Sequence, residues 1–163
     1  MMNKEEIWGD LYLALRYGLT VKEPWATCIA EPTYGKDVEN REWRPKNDSF
    51  WFALHSGQNF DTRSVTKDFF ETRYTSKELP YDLAKKNTGK IIAVCHVSKI
   101  ISDTEEIKEL NSIWAHGTYC WVIDKVLPLK EHSFKAKGFH KLWRLTPEQR
   151  EEICEALTLL NEV

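Results

Sequence analysis

The sequence predicts an α+β fold, a small and partly closed β-barrel with helices packed around it. Short apolar segments rich in β-branched and aromatic residues recur along the chain and dominate it. Helical segments separate some of them, but no regular alternation of strand and helix is sustained. A chain of 163 residues can bury a sizeable core, so we expect residues 1–163 to form a single domain.

Five elements are predicted before residue 57. Apolar residues at helical spacing indicate a first helix, which Gly18 ends, and Pro24 suits the first turn of a second, short helix. Alternation indicates a polar strand, and the apolar run FWFALHS is typical of a strand buried on both faces. In chain order, the elements are a helix over 4–17, a strand over 18–22, a helix over 24–31, a strand over 36–43 and a strand over 50–56.

The middle of the chain contains the two clearest strands. The runs GKIIAVCHVSKII and TYCWVIDKVLPL are rich in β-branched residues and have no helical period. The segments around them are polar, and one of them is basic. In chain order, we predict weakly helical pieces over 64–74 and 76–86, a strand over 89–101, a helical or irregular segment over 102–117, a strand over 118–129, a basic loop over 130–138 and a strand over 139–145.

The last helix, predicted over 147–161, has the best-marked start in the chain. Thr146 is a favourable N-cap, Pro147 fits the first helical position, and Gln149 completes a capping box. No repeat, low-complexity segment or domain linker interrupts the chain before it.

Charge and cysteine usage exclude several classes of protein. The formal net charge of −2 argues against a surface coated in Lys and Arg to grip a long duplex, although a small basic groove remains compatible with it. The four cysteines are far apart and form no C-x-x-C, which indicates reduced, buried thiols. The histidines show no zinc-ligand spacing, so we expect neither a metal site nor a cofactor.

The N-terminus predicts the location of the protein. Its apolar run LYLAL is too short, and too acidic upstream, for a signal peptide. No apolar run in the sequence is long enough to cross a bilayer. We therefore expect a cytoplasmic protein without a membrane partner; the sequence predicts no oligomeric state.

The segment YGKDVENREW concentrates charge between aromatic residues. On a strand, Glu39, Arg41 and Trp43 would share one face and Lys36 would lie on the other. A solvated edge strand with a weak surface ion pair fits these residues. So does a polar site at the mouth of the fold, and the residues alone favour the solvated strand.

Several segments, in their order along the chain, resemble the ASCH domain family of the PUA-like β-barrel superfamily. They are Pro24-Trp25-Ala26, Gly35-Lys36-x-x-Glu39-x-Arg41-x-Trp43, FWFALHSG, GKIIAVCHVSKI, YCWVIDKV and KGFHKLWRL. The resemblance covers about residues 18–145 and leaves the predicted terminal helices outside. One departure is that Gly35 adjoins the motif lysine, whereas the family's glycine usually stands two residues before it.

The resemblance implies a barrel whose cleft binds RNA or a modified nucleobase. Some members of the family resemble small enzymes. One subgroup deacetylates acetylated cytidine with the motif lysine, a threonine three residues later and a separate glutamate, and others cleave RNA. Lys36 matches the lysine, but Glu39 stands where that subgroup has its threonine. An amidohydrolase would need a hydroxyl from Thr27, Thr33 or Ser56 instead.

With the resemblance, a ligand site becomes the favoured interpretation of the charged segment. We expect Arg41 to contact a phosphate or carbonyl, Glu39 to accept from a base amine, and Trp25 to stack on a base. The basic residues in and just after the basic loop would contact the RNA backbone; they are Lys130, Lys135, Lys137 and Lys141, with His132 and His140. The candidate ligand-binding residues are Trp25, Lys36, Glu39, Arg41, Trp43, Ser56, Lys135 and Lys137.

Two other functions stay open at this point. A metal-independent hydrolase would act on a modified nucleoside or on RNA, as an amidohydrolase or a ribonuclease, with Lys36 and Glu39 as its catalytic residues. A protein-interaction module would instead expose an apolar patch away from the motif. His55 is interpreted as a structural residue. At least one of Tyr119 and Trp121 is interpreted as a core residue, and so is Trp143.

Overall fold

The computed structural model of the chain describes residues 4–62, 70 and 78–161. Helices and strands alternate irregularly along it, as the sequence predicts. The helices with defined bounds are α1 (Lys4–Ala14), α2 (Trp25–Ala30), α3 (Tyr81–Asn87), α4 (Thr104–Leu110), a 3-10 helix (Lys130–His132) and α5 (Pro147–Leu160). The strands are β1 (Tyr17–Glu23), β2 (Val38–Arg41), β3 (Phe50–Phe60), β4 (Lys90–Ile101), β5 (Tyr119–Pro128), β6 (Phe134–Lys135) and β7 (Leu142–Arg144).

All these strands belong to one sheet, in the order β2-β5-β4-β3-β1-β7, with β6 paired to β4. Only the β1–β3 pair is parallel within the described residues, and α2 and β2 lie between these two strands in the sequence. The hydrogen-bonded path does not close from β7 back to β2 within the described chain. The mixed α+β class is therefore confirmed, whereas the predicted barrel is not.

The core has a layer on each side of the sheet. The larger cluster joins α2 to β1, β3, β4 and β5, and it includes Phe52 and the fully buried Trp121. The second cluster packs α1 and α5 against the sheet around Leu15, Trp143 and Ile153. Trp143 is a core residue, as predicted, and Trp121 is the fully buried member of the pair Tyr119 and Trp121. The terminal helices thus contribute to the hydrophobic burial that stabilises the sheet.

The start of α5 confirms the predicted capping box. The Thr146 hydroxyl accepts a 3.1 Å hydrogen bond from the backbone N–H of Gln149, whose side-chain oxygen accepts one of 3.0 Å from the N–H of Thr146. These contacts satisfy donors that the first turn of a helix leaves free. By contrast, α1 ends at Ala14 rather than at residue 17, because Tyr17 already pairs with Phe52 in the sheet.

Several strand bounds differ from the prediction. β3 continues through Gly57 to Phe60, because β1 extends beside it and Glu23 pairs with Phe60. β2 is shorter than residues 36–43, because the N–H of Lys36 donates to the carbonyl of Cys28 and not to a neighbouring strand. β7 covers only part of 139–145, and β6 lies inside the predicted basic loop.

The two weakly helical pieces have different outcomes. Apart from Phe70, which is helical and buried, the piece over 64–74 lies outside the described residues. Residues 76 and 77 of the second piece also lie outside them, and α3 forms most of the remainder. Within 102–117, a helix does form, since Asp103 caps α4 by accepting from the N–H groups of Glu105 and Glu106.

The cysteines match the sequence interpretation. Cys28, Cys95 and Cys120 are buried and all four are free thiols. Burial raises the pKa of the Cys28 thiol to about 12, so it is protonated at neutral pH. In the described part of the chain, no group of three or more histidine, cysteine or acidic side chains is placed to hold a metal ion. Nor does that part contain a helix with the length and apolar character needed to span a membrane.

Candidate ligand cleft

A cleft of about 800 Å³ opens where the two ends of the sheet approach each other. Its walls come from β1, β2 and β3, from the loop 136–141 between β6 and β7, and from Trp25 and Trp114. The charged motif lies inside it: Lys36, Glu39 and Arg41 all line the cleft. β2 is an edge strand, but these three charged side chains are enclosed by the cleft and not fully solvated.

The Lys36 side chain is buried, and 4% of the residue's surface is exposed. Its ammonium donates to the carbonyl of Val38, lies 4.0 Å from Glu39 Oε1 and stands 5.9 Å from the centre of the Trp114 ring. Burial lowers the pKa of Lys36, and the Glu39 carboxylate opposes that shift. Because β2 begins only at Val38, Lys36 reaches the Glu39 side of the motif, and the predicted placement on the opposite face is wrong.

Glu39 is a buried carboxylate whose two oxygens differ in their hydrogen bonding. Oε1 accepts a 3.1 Å bond from the backbone N–H of Asn40. Oε2 has no hydrogen-bond donor among the described residues, although Arg41 Nη2 lies 3.6 Å away. Leaving a buried acceptor unpaired is costly, since its interaction with water has been lost.

Arg41 lies beside Glu39 on the cleft side, as the alternation predicts. Its Nη2 atom also donates a 2.8 Å hydrogen bond to the carbonyl of Thr20 in β1. The guanidinium thus bridges β2 and β1, which are not adjacent in the sheet. Arg41 keeps 24% of its side chain exposed, so donors remain for a ligand.

Two tryptophans form an aromatic wall. Trp25 lies at the start of α2, and its indole N–H donates a 3.0 Å bond to Asp61. Its ring meets Trp114 edge-on, with 6.4 Å between ring centres, and stacks on Phe70 at 6.2 Å. Trp25 is half-buried and lines the cleft.

The opposite wall depends on a neutral histidine. Burial lowers the pKa of His55. Its Nε2 lies 2.7 Å from the carbonyl oxygen of Ala136, which can only accept, so Nε2 carries the proton. Nδ1 then accepts from the Thr20 hydroxyl at 3.0 Å. A Cβ on Gly138 would lie 2.3 Å from the Thr20 hydroxyl oxygen, so only glycine lets the loop pack so closely.

The fold can now be compared with those of known proteins. No protein-family model and no curated protein sequence matches the chain. Among solved structures, the ASCH protein from Zymomonas mobilis is similar, with a TM-score of 0.51 over 87% of this chain and 94% of that chain, at 12% sequence identity. The chain has an ASCH-type fold.

Within this ASCH-type fold, the cleft carries a positive excess. Its charged lining consists of Lys22, Lys36, Arg41, Lys137 and Lys141 against Glu39 and Asp61. Five cationic side chains thus face two carboxylates, in a chain whose net charge is −2. Concave surfaces of one sign concentrate ligands of the opposite sign.

Ser56, a predicted ligand residue, does not line the cleft. It is fully buried, and its hydroxyl donates a 2.5 Å hydrogen bond to the carboxylate of Glu23. Glu23 also accepts from the N–H and the hydroxyl of Thr27, each at 2.9 Å. This network ties β1, α2 and β3 together behind the cleft. Burial raises the pKa of Glu23, and these hydrogen bonds oppose the shift.

The remaining predicted residues are divided between different surfaces. Lys137 lines the cleft, whereas Lys135 lines a neighbouring groove. Trp43 lines neither, because it follows the end of β2 and packs edge-on against Trp121 with 5.0 Å between ring centres. The structure thus brings together Trp25, Lys36, Glu39, Arg41 and Lys137, but not Trp43, Ser56 or Lys135.

Sequence reasoning missed several cleft residues. Trp114 lies in the segment between α4 and β5, and its carbonyl accepts a 2.8 Å bond from the side chain of Asn40. A lone large aromatic in the polar run 102–117 was the available signal for it. Thr20 and Phe139 carry no such signal, because only the parallel pairing of β1 and the path of the loop 136–141 bring them into the cleft.

Proposed function

We propose that this chain binds RNA or a nucleotide-like ligand in the cleft beside Lys36, Glu39 and Arg41, and that the whole chain acts as one unit. The observation that carries the proposal is the buried Oε2 atom of Glu39, which lacks a hydrogen-bond donor among the described residues. The atoms that cover Oε2 would have to shift to admit a ligand, and an N–H group supplied there would then remove the cost of the unpaired acceptor. The exocyclic amine of a nucleobase is such a group.

The surrounding residues fit the other parts of a nucleotide. The exposed part of the Arg41 guanidinium can contact a phosphate or carbonyl oxygen, and Lys137 at the rim can add a second charge. Trp25 lines the cleft, and contact of a base with an aromatic side chain contributes roughly 1–3 kcal/mol. Lys36 lies 4.0 Å from Glu39 Oε1 and helps to hold this carboxylate in place.

The ASCH-type fold and the positive excess of the cleft support the same proposal. Single-stranded RNA or a nucleotide suits the site better than a duplex, because aromatic stacking requires an unpaired base. The modest net charge of the chain agrees with this preference.

A hydrolase is the second candidate, and the lowered pKa of Lys36 favours it. A buried amine that loses its proton more readily can act as a general base. Lys36 contacts no side-chain hydroxyl of the described chain, and the hydroxyls of Thr27 and Ser56 both donate to Glu23. An RNA substrate would supply its own 2′-hydroxyl nucleophile, so a ribonuclease is favoured over an amidohydrolase.

The test is incubation with a panel of nucleosides, acetylated cytidine included, and short single-stranded RNAs, read by mass spectrometry. It uses the wild-type chain, Lys36→Ala and a control variant at an exposed lysine, Lys46→Ala. Turnover that Lys36→Ala abolishes and Lys46→Ala preserves would make the protein an enzyme and identify its substrate class. Binding without turnover, weakened by Lys36→Ala alone, supports the binding function. If no ligand binds, or if Lys36→Ala changes neither binding nor turnover, the proposed location of the ligand site is contradicted.

A further inference from the structure

A second groove, of about 690 Å³, adjoins the cleft. The two share Gln58, Ala136 and Lys137, so they form one continuous depression. Among the described residues that line the groove, none is acidic. Its lysines are Lys85, Lys86, Lys90, Lys135 and Lys137.

A tight turn gathers these lysines from distant parts of the sequence. Lys85 and Lys86 lie in the last turn of α3, and Lys90 begins β4 after the turn at Gly89. Gly89 has φ +78°, and a Cβ there would lie 2.6 Å from the side-chain nitrogen of Gln58. Glycine adopts this left-handed backbone without the strain that a side chain would cause. The Gly89 carbonyl also accepts from the N–H of Ala136 at 3.0 Å, which places the end of α3 beside β6.

The charges of the groove are not compensated within the described chain. Lys90 and Lys135 are directly opposite each other in the β4–β6 pairing, an arrangement that is destabilising for like charges. None of the five lysines forms an ion pair with a carboxylate of residues 4–62 or 78–161. Lys85 and Lys86 have a structural role, because cations stabilise the C-terminal end of a helix. Lys90 and Lys135 have no comparable role.

We propose that this five-lysine groove binds the phosphodiester backbone of single-stranded RNA next to the nucleotide that occupies the cleft. The inference rests on the proposed function, in which the ligand occupies only the cleft. A strand leaving the cleft past Lys137 enters the groove directly, and its phosphates separate the ammonium groups of Lys90 and Lys135. The ligand is then an oligonucleotide, and its affinity increases with length beyond the single nucleotide that the cleft holds.

The test compares a nucleoside monophosphate with single-stranded RNAs of increasing length, up to about 12 nucleotides, at several salt concentrations. The groove variant combines Lys85→Gln, Lys86→Gln and Lys90→Gln. The matched control combines Lys46→Gln, Lys99→Gln and Lys108→Gln, which remove the same charge from exposed positions outside both depressions. Thermal melting checks that both variants are folded.

We expect the groove variant to bind the longest RNA at least about tenfold more weakly than wild type. The slope of log affinity against log salt concentration should become shallower by roughly two, because each of the three lost phosphate contacts contributes about 0.7 to it. The monophosphate, which reaches only the cleft, should bind it within about threefold of wild type. Equal weakening in the control variant, or no gain of affinity with RNA length in the wild type, would contradict RNA binding in the groove. Neither result would contradict ligand binding in the cleft. Failure of the wild type to bind either probe would overturn the proposed function, and the groove with it.

Discussion

Arg41 donates a 2.8 Å hydrogen bond from Nη2 to the backbone carbonyl of Thr20. The pairing of β1 with β7 ends one residue earlier, at Leu19 and Leu142. Arg41 therefore hydrogen-bonds to β1 just beyond the last residue that pairs with β7. Arg41 belongs to β2, at the opposite end of the sheet. This contact draws the ends of the open sheet together around the cleft.

Replacing Arg41 should weaken both the fold and ligand binding. Arg41→Met removes the donor to Thr20 and leaves Glu39 without its neighbouring cation. A hydrogen bond from a charged group contributes about 1.5–3 kcal/mol, so we expect a loss of this size in the free energy of unfolding, measured with urea. The control is Arg44→Met, whose pair with Asp48 is largely exposed and should contribute under about 1 kcal/mol. Equal losses in the two variants would contradict the bridging role.

The buried carboxylate of Glu23 should make stability depend on pH. Because burial raises its pKa, the folded protein holds this proton to a higher pH than the unfolded chain does. Its contribution to stability is therefore full in acid and decreases as the pH increases through the raised pKa. Glu23→Gln cannot titrate, so its free energy of unfolding relative to wild type should rise from about pH 4 to about pH 8. Urea unfolding across that range measures the difference; a constant or falling difference would exclude the effect.

Gly138 should tolerate no side chain. In Gly138→Ala, the new methyl group would lie 2.3 Å from the Thr20 hydroxyl oxygen and 2.5 Å from His55 Nδ1. We expect a loss of about 1–3 kcal/mol in the free energy of unfolding and a displaced loop over 136–141. Gly9→Ala is the control, since Gly9 is exposed in α1 with nothing within 4 Å of the new atom, and the change should be stabilising by up to about 1 kcal/mol. Thermal melting of the two variants gives the comparison.

The sequence predicted those parts of the cleft that depend on local pattern. Alternation placed Glu39 and Arg41 together because both lie within β2, where period-two geometry holds. Lys36 departs from that rule because it precedes the strand. Ser56 alternates as a strand residue should, but its partner Glu23 comes from a parallel strand 33 residues away, and no local pattern reports such pairing.

The most direct test of the nucleotide-binding proposal uses the free Oε2 atom of Glu39. Cytidine and uridine monophosphates differ where an amine replaces a carbonyl oxygen, and so do adenosine and inosine monophosphates. Their affinities are measured by calorimetry for wild type, Glu39→Gln and the control Glu42→Gln, an exposed glutamate outside the cleft.

We expect wild type to prefer the amine-bearing member of at least one pair, because a carboxylate only accepts hydrogen bonds. Glu39→Gln should weaken that ligand roughly tenfold or more and lose or reverse the preference, since a hydrogen bond to a charged group contributes about 1.5–3 kcal/mol and the new amide can donate to a carbonyl. Glu42→Gln should behave as wild type. If no nucleotide binds, or if Glu39→Gln leaves both the affinities and the preference unchanged, the cleft does not recognise a base through Glu39.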